Sequence, residues 1–280
     1  MVVKMSTQHL EQLRQAKRLL EHPGLAARIC NLVGAPIESA IGRLPASWQQ
    51  RVGVATERAL QHAMRGALFT LGSELEAKKG SASPRLHKFA AGVSGGVGGA
   101  FGLPGLLVEL PLSTVIMLRS IADIARANGE IPDDPATGLE CLQILAMGGP
   151  TSTDDAADSG YFAMRIALAR AVSEATQALA ARSVNAATAP ALLRLIALVA
   201  GRFQVHVTQK AATMLVPALG AVGGAGINLL FIDHFQNMSR GHFAVRRLER
   251  EYSAALVRRQ YDLIAPEVTP PALALTGFPA

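Results

Sequence analysis

The sequence has little of three things. Aromatic residues fill 5 % of its 280 positions, and tryptophan occurs once. Sheets favour branched and aromatic side chains that pack on a pleated surface, so this scarcity argues against a β-protein. Charged residues make up 17 %, below the roughly one quarter typical of a soluble domain. That deficit points to a chain that faces a membrane or is unusually buried. Cysteine occurs twice, as Cys30 and Cys141, far apart and each in an apolar setting. Two such thiols give neither a disulfide framework nor a metal spacing, and both read as small buried hydrophobes in a reducing compartment. The N-terminus turns polar after Met5 and lacks the apolar core of a signal peptide, so export is not expected.

What is abundant is alanine, leucine and glycine. Half of the residues are apolar, and this is a helical composition. The formal net charge of +6 suits an anionic lipid surface. Nucleic acid is not expected as a partner, because the basic loops interleaved with aromatics that it calls for are missing.

Helical periodicity and breakers organise the chain. Residues 6–21 read as a helix capped by Ser6 or Thr7, with Leu10, Leu13 and Leu20 sharing a face with the stem of Lys17. Short helical pieces follow, broken by Gly34, Pro36, Gly42 and Pro45. Ser47 can cap a helix to about Lys79. After Pro111 comes an amphipathic helix to about Ala127, capped by Asn128-Gly129. Pro132 is expected to begin another that ends near Met147. Residues 148–160 are a polar, acidic connection. Helices follow at about 161–182 and 189–217, and a last one runs from about His242 to Asp262. The expected organisation is an N-terminal helical segment (1–46), a main helical domain (47–262) and a fraying tail (263–280).

Two uncharged runs stand out, the twenty residues Phe89–Val108 and the twenty-two residues Ala211–Ile232. Glycine costs an exposed helix up to about 1 kcal/mol relative to alanine, so something must offset seven in the first run. The spacings Gly92/Gly96, Gly95/Gly99, Gly98/Gly102 and Gly220/Gly224 let helix backbones approach closely. Val97-Gly98-Gly99-Ala100 reappears as Val222-Gly223-Gly224-Ala225, a weak internal repeat that suggests two helical halves. Both runs match the thickness of a bilayer core, yet a close-packed hairpin in a soluble protein fits the same pattern. The last helix adds a face of Val245, Leu248, Tyr252, Ala255 and Leu256 among several arginines. It can lie in a lipid interface or cover a core with a solvated basic side.

Few constellations could carry chemistry. Glu109, Leu112, Ile116, Arg119 and Asp123 share one face if Pro111 sits in a first turn, which would align two carboxylates and an arginine. That is either an acid–base cluster or a structural Arg119–Asp123 pair. His206 and Lys210 are i,i+4 neighbours, and Lys210 could neutralise Glu109 or Asp233 if the halves pack together. The candidate catalytic residues are therefore Glu109, Arg119, Asp123, Lys210 and Asp233. A metal site from Glu109, Asp233 and His234 lacks a recognised ligand spacing, so neither metal nor cofactor is expected. Gly92-Val93-Ser94-Gly95-Gly96 matches a nucleophile elbow in letters only, since no strand precedes Ser94.

The chain resembles the EcsC protein family, bacterial proteins named after a companion of an ABC transporter. The resemblance spans about residues 50–262. It rests on Gly95-Gly96-Val97-Gly98-Gly99 with Gly102-Leu103-Pro104 and Glu109-Leu110-Pro111, and on Leu118 to Ala125. Further on it rests on Tyr161 to Arg165, Lys210 with Val216-Pro217, and Gly220 to Ala225 with Asn228. It ends with His242-Phe243 and Arg246 to Glu249. It implies an all-α, glycine-zipper-like bundle and a link to transport or secretion, without a mechanism. The expected function is a membrane-associated accessory protein. It would sit on the cytoplasmic side of the inner membrane, peripheral or partly inserted, with a membrane surface or membrane protein as partner. The alternative is a hydrolase with a buried Glu/Asp/Lys/His site between the two halves.

Overall fold

The computed structural model describes residues 4–21, 25–33, 37–70, 102–131, 134–148, 160–180, 189–215 and 220–265. These residues form an all-α, multi-helix fold with no strand among them. The helices are α1 (Thr7–Glu21), α2 (Leu25–Val33), α3 (Ile37–Gly42), α4 (Ala46–Thr70), α5 (Gly102–Ala127), α6 (Pro135–Ile144), α7 (Gly160–Ala180), α8 (Ala189–Thr213), α9 (Gly220–Glu251) and α10 (Ala254–Leu263).

Local chemistry sets most helix ends. The Ser6 hydroxyl accepts the His9 N–H at 3.2 Å and satisfies one free donor of the first turn of α1. Gly129, at φ +83°, stops α5 in a backbone region that side chains with a Cβ avoid. The start of α6 differs from the Pro132 expectation. Asp134 caps it by accepting the Ala136 N–H at 3.0 Å, and Pro135 takes the first helical position. Ser47 lies inside α4 and does not cap it, since Trp48 and Gln49 already donate to the Pro45 carbonyl.

The largest difference lies at the C-terminal end. A separate helix from His242 was expected, but α9 runs unbroken from Gly220 to Glu251. Gly241 does not interrupt it. A Cβ there would lie 2.6 Å from Leu20 Cγ and 3.0 Å from the Ala16 carbonyl oxygen, so this glycine serves the close approach of α1 to α9. The real break falls at Tyr252–Ser253, where the Ser253 side chain caps α10. Lys17, buried on α1, donates to the carbonyls of Tyr261 (2.9 Å) and Ile264 (2.8 Å). A cation at the carbonyl end of α10 satisfies otherwise free acceptors and favours the helix dipole.

Four long helices hold the core. α4 packs on α5 and α8, and α9 packs on α1, α2, α5 and α6. α7 packs on α8 and α6, α3 on α8, and α10 on α9 and α1. Phe203 of α8 and Phe235 of α9 meet edge to face at 5.6 Å, in the same buried core as Leu110, Ile121 and Phe243. Burying each such side chain stabilises the fold by about 1.5–3 kcal/mol.

The glycine runs fall only partly on described residues. Phe89 to Phe101, with Ser94 and most of the first run, lie outside them, as do residues 216–219 of the second. Gly102–Val108 opens α5, and Gly220–Ile232 is helical. Among the described residues, the helices long and apolar enough to cross a membrane are Gly102–Ala127 and Pro190–Thr213. The first takes in the end of the first uncharged run, and the second takes in the start of the second.

Two buried polar clusters

The first cluster joins three helices beneath the glycine-rich end of α9. Lys210 on α8 donates to Glu109 Oε2 on α5 at 2.6 Å. Asn228 on α9 donates to Glu109 Oε1 at 2.8 Å, and the same Asn228 accepts from the Lys210 ammonium through its Oδ1. All three are buried. Burial alone would raise the Glu109 carboxyl, but Lys210, Asn228 and Ser113 outweigh it and hold it below the usual carboxylate range. Lys210 also lies 5.5 Å from the Phe231 ring centre, so its remaining hemisphere faces a π-surface and not water.

The other expected site residues sit elsewhere. Asp233 pairs with Arg28 of α2 at 2.5 Å, and the carboxylate that Lys210 holds is that of Glu109. Asp123 pairs with Arg126 at 3.1 Å. Pro111 sits in the interior of α5 rather than in its first turn. The five-residue face accordingly divides. Glu109 is buried, Arg119 is exposed, and Leu112 is 56 % exposed. Glu109 faces the core and Leu112 and Arg119 turn outward, while Ile116 packs half-buried against the core and Asp123 is half-buried. His206 and His234 face each other with ring centres 5.3 Å apart, and His206 donates to the Met147 carbonyl at 3.2 Å. Burial pushes both down, His234 to about 3, so both are neutral imidazoles. Among the described residues no group of three or more His, Cys, Asp or Glu is placed to hold a metal ion.

The second cluster was not anticipated as a site, although most of its residues fall in the family-like stretches. His242 of α9 lies between Tyr161 of α7, whose hydroxyl is 3.1 Å from Nδ1, and Glu140 of α6, whose carboxylate is 3.2 Å from Nε2. Arg246 spans Glu140 (2.8 Å) and Glu130 (3.0 Å), and Arg250 adds a second cation on Glu130. Arg165 grips Glu249 with two parallel bonds of 2.8 and 3.0 Å. Burial works against the charge on Glu140, yet His242 and Arg246 keep its carboxyl below the usual range. An ionised Glu140 can only accept, so His242 donates through Nε2 and its free Nδ1 accepts the Tyr161 O–H. Burial depresses His242 more than Glu140 raises it, which keeps this ring neutral as well. The arrangement resembles a Tyr–His–Glu relay. Its members are each partnered, and they tie α6, α7 and α9 together.

This cluster also changes the reading of the arginine-rich C-terminal helix. Val245 and Leu248 are fully buried, Arg246 and Arg250 are engaged by glutamates, and Arg247 donates to Gln12 of α1 at 3.0 Å. The apolar side of the stretch covers the core, and these three arginines are held by Glu130, Glu140 and Gln12. Its sequence signal was ambiguous because the acidic partners lie more than a hundred residues upstream.

Long apolar helices tied by buried ion pairs define an all-α bundle. The chain belongs to the EcsC protein family, whose model matches residues 7–248. The match takes in α1, upstream of the stretch on which the resemblance rested. No curated protein and no solved structure matches the chain.

Proposed function

We propose that this EcsC-family protein is a membrane-associated helical accessory protein that acts peripherally at the cytoplasmic face of the inner membrane. One observation carries the reading. α5 and α8 are each long and apolar enough to cross a bilayer, yet the protein buries only 56 % and 44 % of those apolar windows. The remainder looks outward: Val108 is 81 % exposed on α5, and Leu193 and Leu198 are exposed on α8. Large outward apolar side chains in helices of this length suit contact with lipid.

Charge favours lying on the membrane over crossing it. Arg202 stands near the middle of α8 and Arg119 in the second half of α5. Each arginine at a bilayer centre costs about 2.5–3.5 kcal/mol on the insertion scale. The transport link implied by the family resemblance belongs to the same reading, with an integral membrane protein as partner.

Cell fractionation tests this. The protein should sediment with membranes at low salt and be released by high salt or carbonate. Recovery wholly in the soluble fraction at low salt would overturn membrane association. Retention through carbonate would overturn the peripheral mode.

A further inference from the structure

We infer that the outer face of the α7–α8 hairpin is the surface that lies on anionic phospholipid headgroups. This inference rests on the membrane reading above and adds to it a face and a lipid class.

α7 and α8 pack side by side, and Glu174 of α7 meets Arg194 of α8 at 2.7 Å near the connection between them. The two helices therefore run antiparallel, and the turn bearing Ile166 and Arg170 lies alongside the middle of α8. The outward side chains are apolar and cationic in alternation. Ile166, Leu193, Leu198 and Val205 are exposed by 39 to 55 %. Arg170, Arg194 and Arg202 stand among them. α8 contains no acidic residue, and the only one on α7 is Glu174, whose carboxylate is already held by Arg170 (2.8 Å) and Arg194.

Two features single out this face. A monolayer interface takes apolar side chains into the acyl boundary while cations meet phosphate, so it requires both kinds at helical spacing. The α5 stripe, Val108 and Leu112, has apolar side chains but no cation before Arg119. The arginine-rich end of α9 has cations, but they are spent on Glu130, Glu140 and Gln12. Among the described residues, the hairpin combines exposed apolar side chains with arginines whose one acidic partner, Glu174, is shared by two of them. The mid-helix Gly201 and Ala197 are also exposed there, which leaves the α8 backbone low between the flanking side chains. An approaching headgroup meets little steric obstruction at that place.

Vesicle flotation of the full chain tests the assignment, using phosphatidylcholine vesicles with and without phosphatidylglycerol. The wild type should float with the anionic vesicles, lose binding in high salt, and float poorly with neutral ones. Arg202→Glu and the separate variant Leu198→Glu should each lower binding to anionic vesicles by about tenfold or more. Ile131→Glu, at an exposed apolar position in the connection after α5, serves as the matched control and should change it far less. Thermal melts of each variant establish that the exposed substitutions leave the fold intact. If the wild type floats and the two hairpin variants float equally well, this face is wrong while membrane association stands. If the wild type floats with neither vesicle, the membrane reading itself fails. If Leu198→Glu instead abolishes a concentration-dependent dimer of lipid-free protein, the face is an interface between copies and the lipid assignment is overturned.

Discussion

Lys210 and Glu109, a hundred and one residues apart in the chain, lie 2.6 Å from each other inside the bundle, with Asn228 bonded to both. Each of α5, α8 and α9 contributes one member, so the trio fixes the mutual register of the three helices. Apolar helix faces slide with little penalty; a buried charge that must find its partner does not.

Removing one partner should therefore cost far more than replacing both. Lys210→Met leaves the Glu109 carboxylate buried without its cation, and such a loss costs about 3–5 kcal/mol. Combining it with Glu109→Gln keeps an acceptor for Asn228 and removes the stranded charge. The double variant should recover much of the deficit. Denaturant midpoints of the two single variants and the pair decide the matter. A single-variant loss below about 1 kcal/mol would mean that the pair is not closed to water.

Acid should weaken the fold in two stages with the same sign. His206, His234 and His242 are held neutral with depressed values, whereas an unfolded histidine titrates near 6.5. The unfolded chain thus binds more protons, and stability falls as pH drops below about 6.5. For His234 the decline continues to about 3. Glu109, Glu130 and Glu140 are depressed too, so their contribution is present above the ordinary carboxylate value and disappears as pH falls through their folded values. Each linked proton gives a slope of about 1.4 kcal/mol per pH unit. Melting temperature should drop steadily from pH 7 to pH 4, and His234→Gln should flatten the upper part of that slope. A melting temperature that rises between pH 7 and pH 5 would contradict it.

Two glycines should answer the same substitution with opposite signs. Gly241→Ala drives a Cβ to within 2.6 Å of Leu20 and 3.0 Å of the Ala16 backbone oxygen. The α1–α9 contact must then open, at about 1–3 kcal/mol. Gly201 lies mid-helix on the surface with no described atom within 4 Å of that position. Alanine there removes a flexible residue from a helix and should stabilise by about 0.5–1 kcal/mol. Melting temperatures of the two variants should move apart; movement in the same direction would remove the distinction between them.

These glycines show what the chain discloses by itself. The helix positions were legible wherever apolar residues recur at helical spacing, and the Ser6 and Gly129 ends followed from cap chemistry. The unbroken run of α9 through Gly241 was not legible, because the partners that call for a glycine there, the Ala16 carbonyl and Leu20, sit on a helix over two hundred residues away. Pro132 drew attention that belonged to Asp134-Pro135, since two prolines three apart offer the same start signal. Glu109 and Lys210 stood out as charges beside apolar runs. Asn228 stands out in the sequence only as part of the family-like stretch that follows Gly220–Ala225, and its role as the bridge needed coordinates. Tyr161 and His242 stand in family-like stretches, but their link to each other and to Glu140 left no local trace, because the members are 81 and 102 positions apart.

That second cluster offers a test of geometry over charge. Arg165 holds Glu249 through two parallel bonds and also reaches the Tyr161 hydroxyl at 3.3 Å. A guanidinium can serve all three oxygens because its donors are fixed in a plane. An ammonium on a lysine stem keeps the charge but cannot present two parallel donors. Arg165→Lys should therefore destabilise by about 1–2 kcal/mol although the formal charge is unchanged. Glu249→Gln in the wild-type background should cost a similar amount, and adding Arg165→Lys to it should cost little more, since the forked bond is already lost. Urea unfolding of the four proteins gives the coupling directly. If the two losses simply add, Arg165 and Glu249 are neighbours without a shared bond, and the cluster does not tie α7 to α9 in the way described.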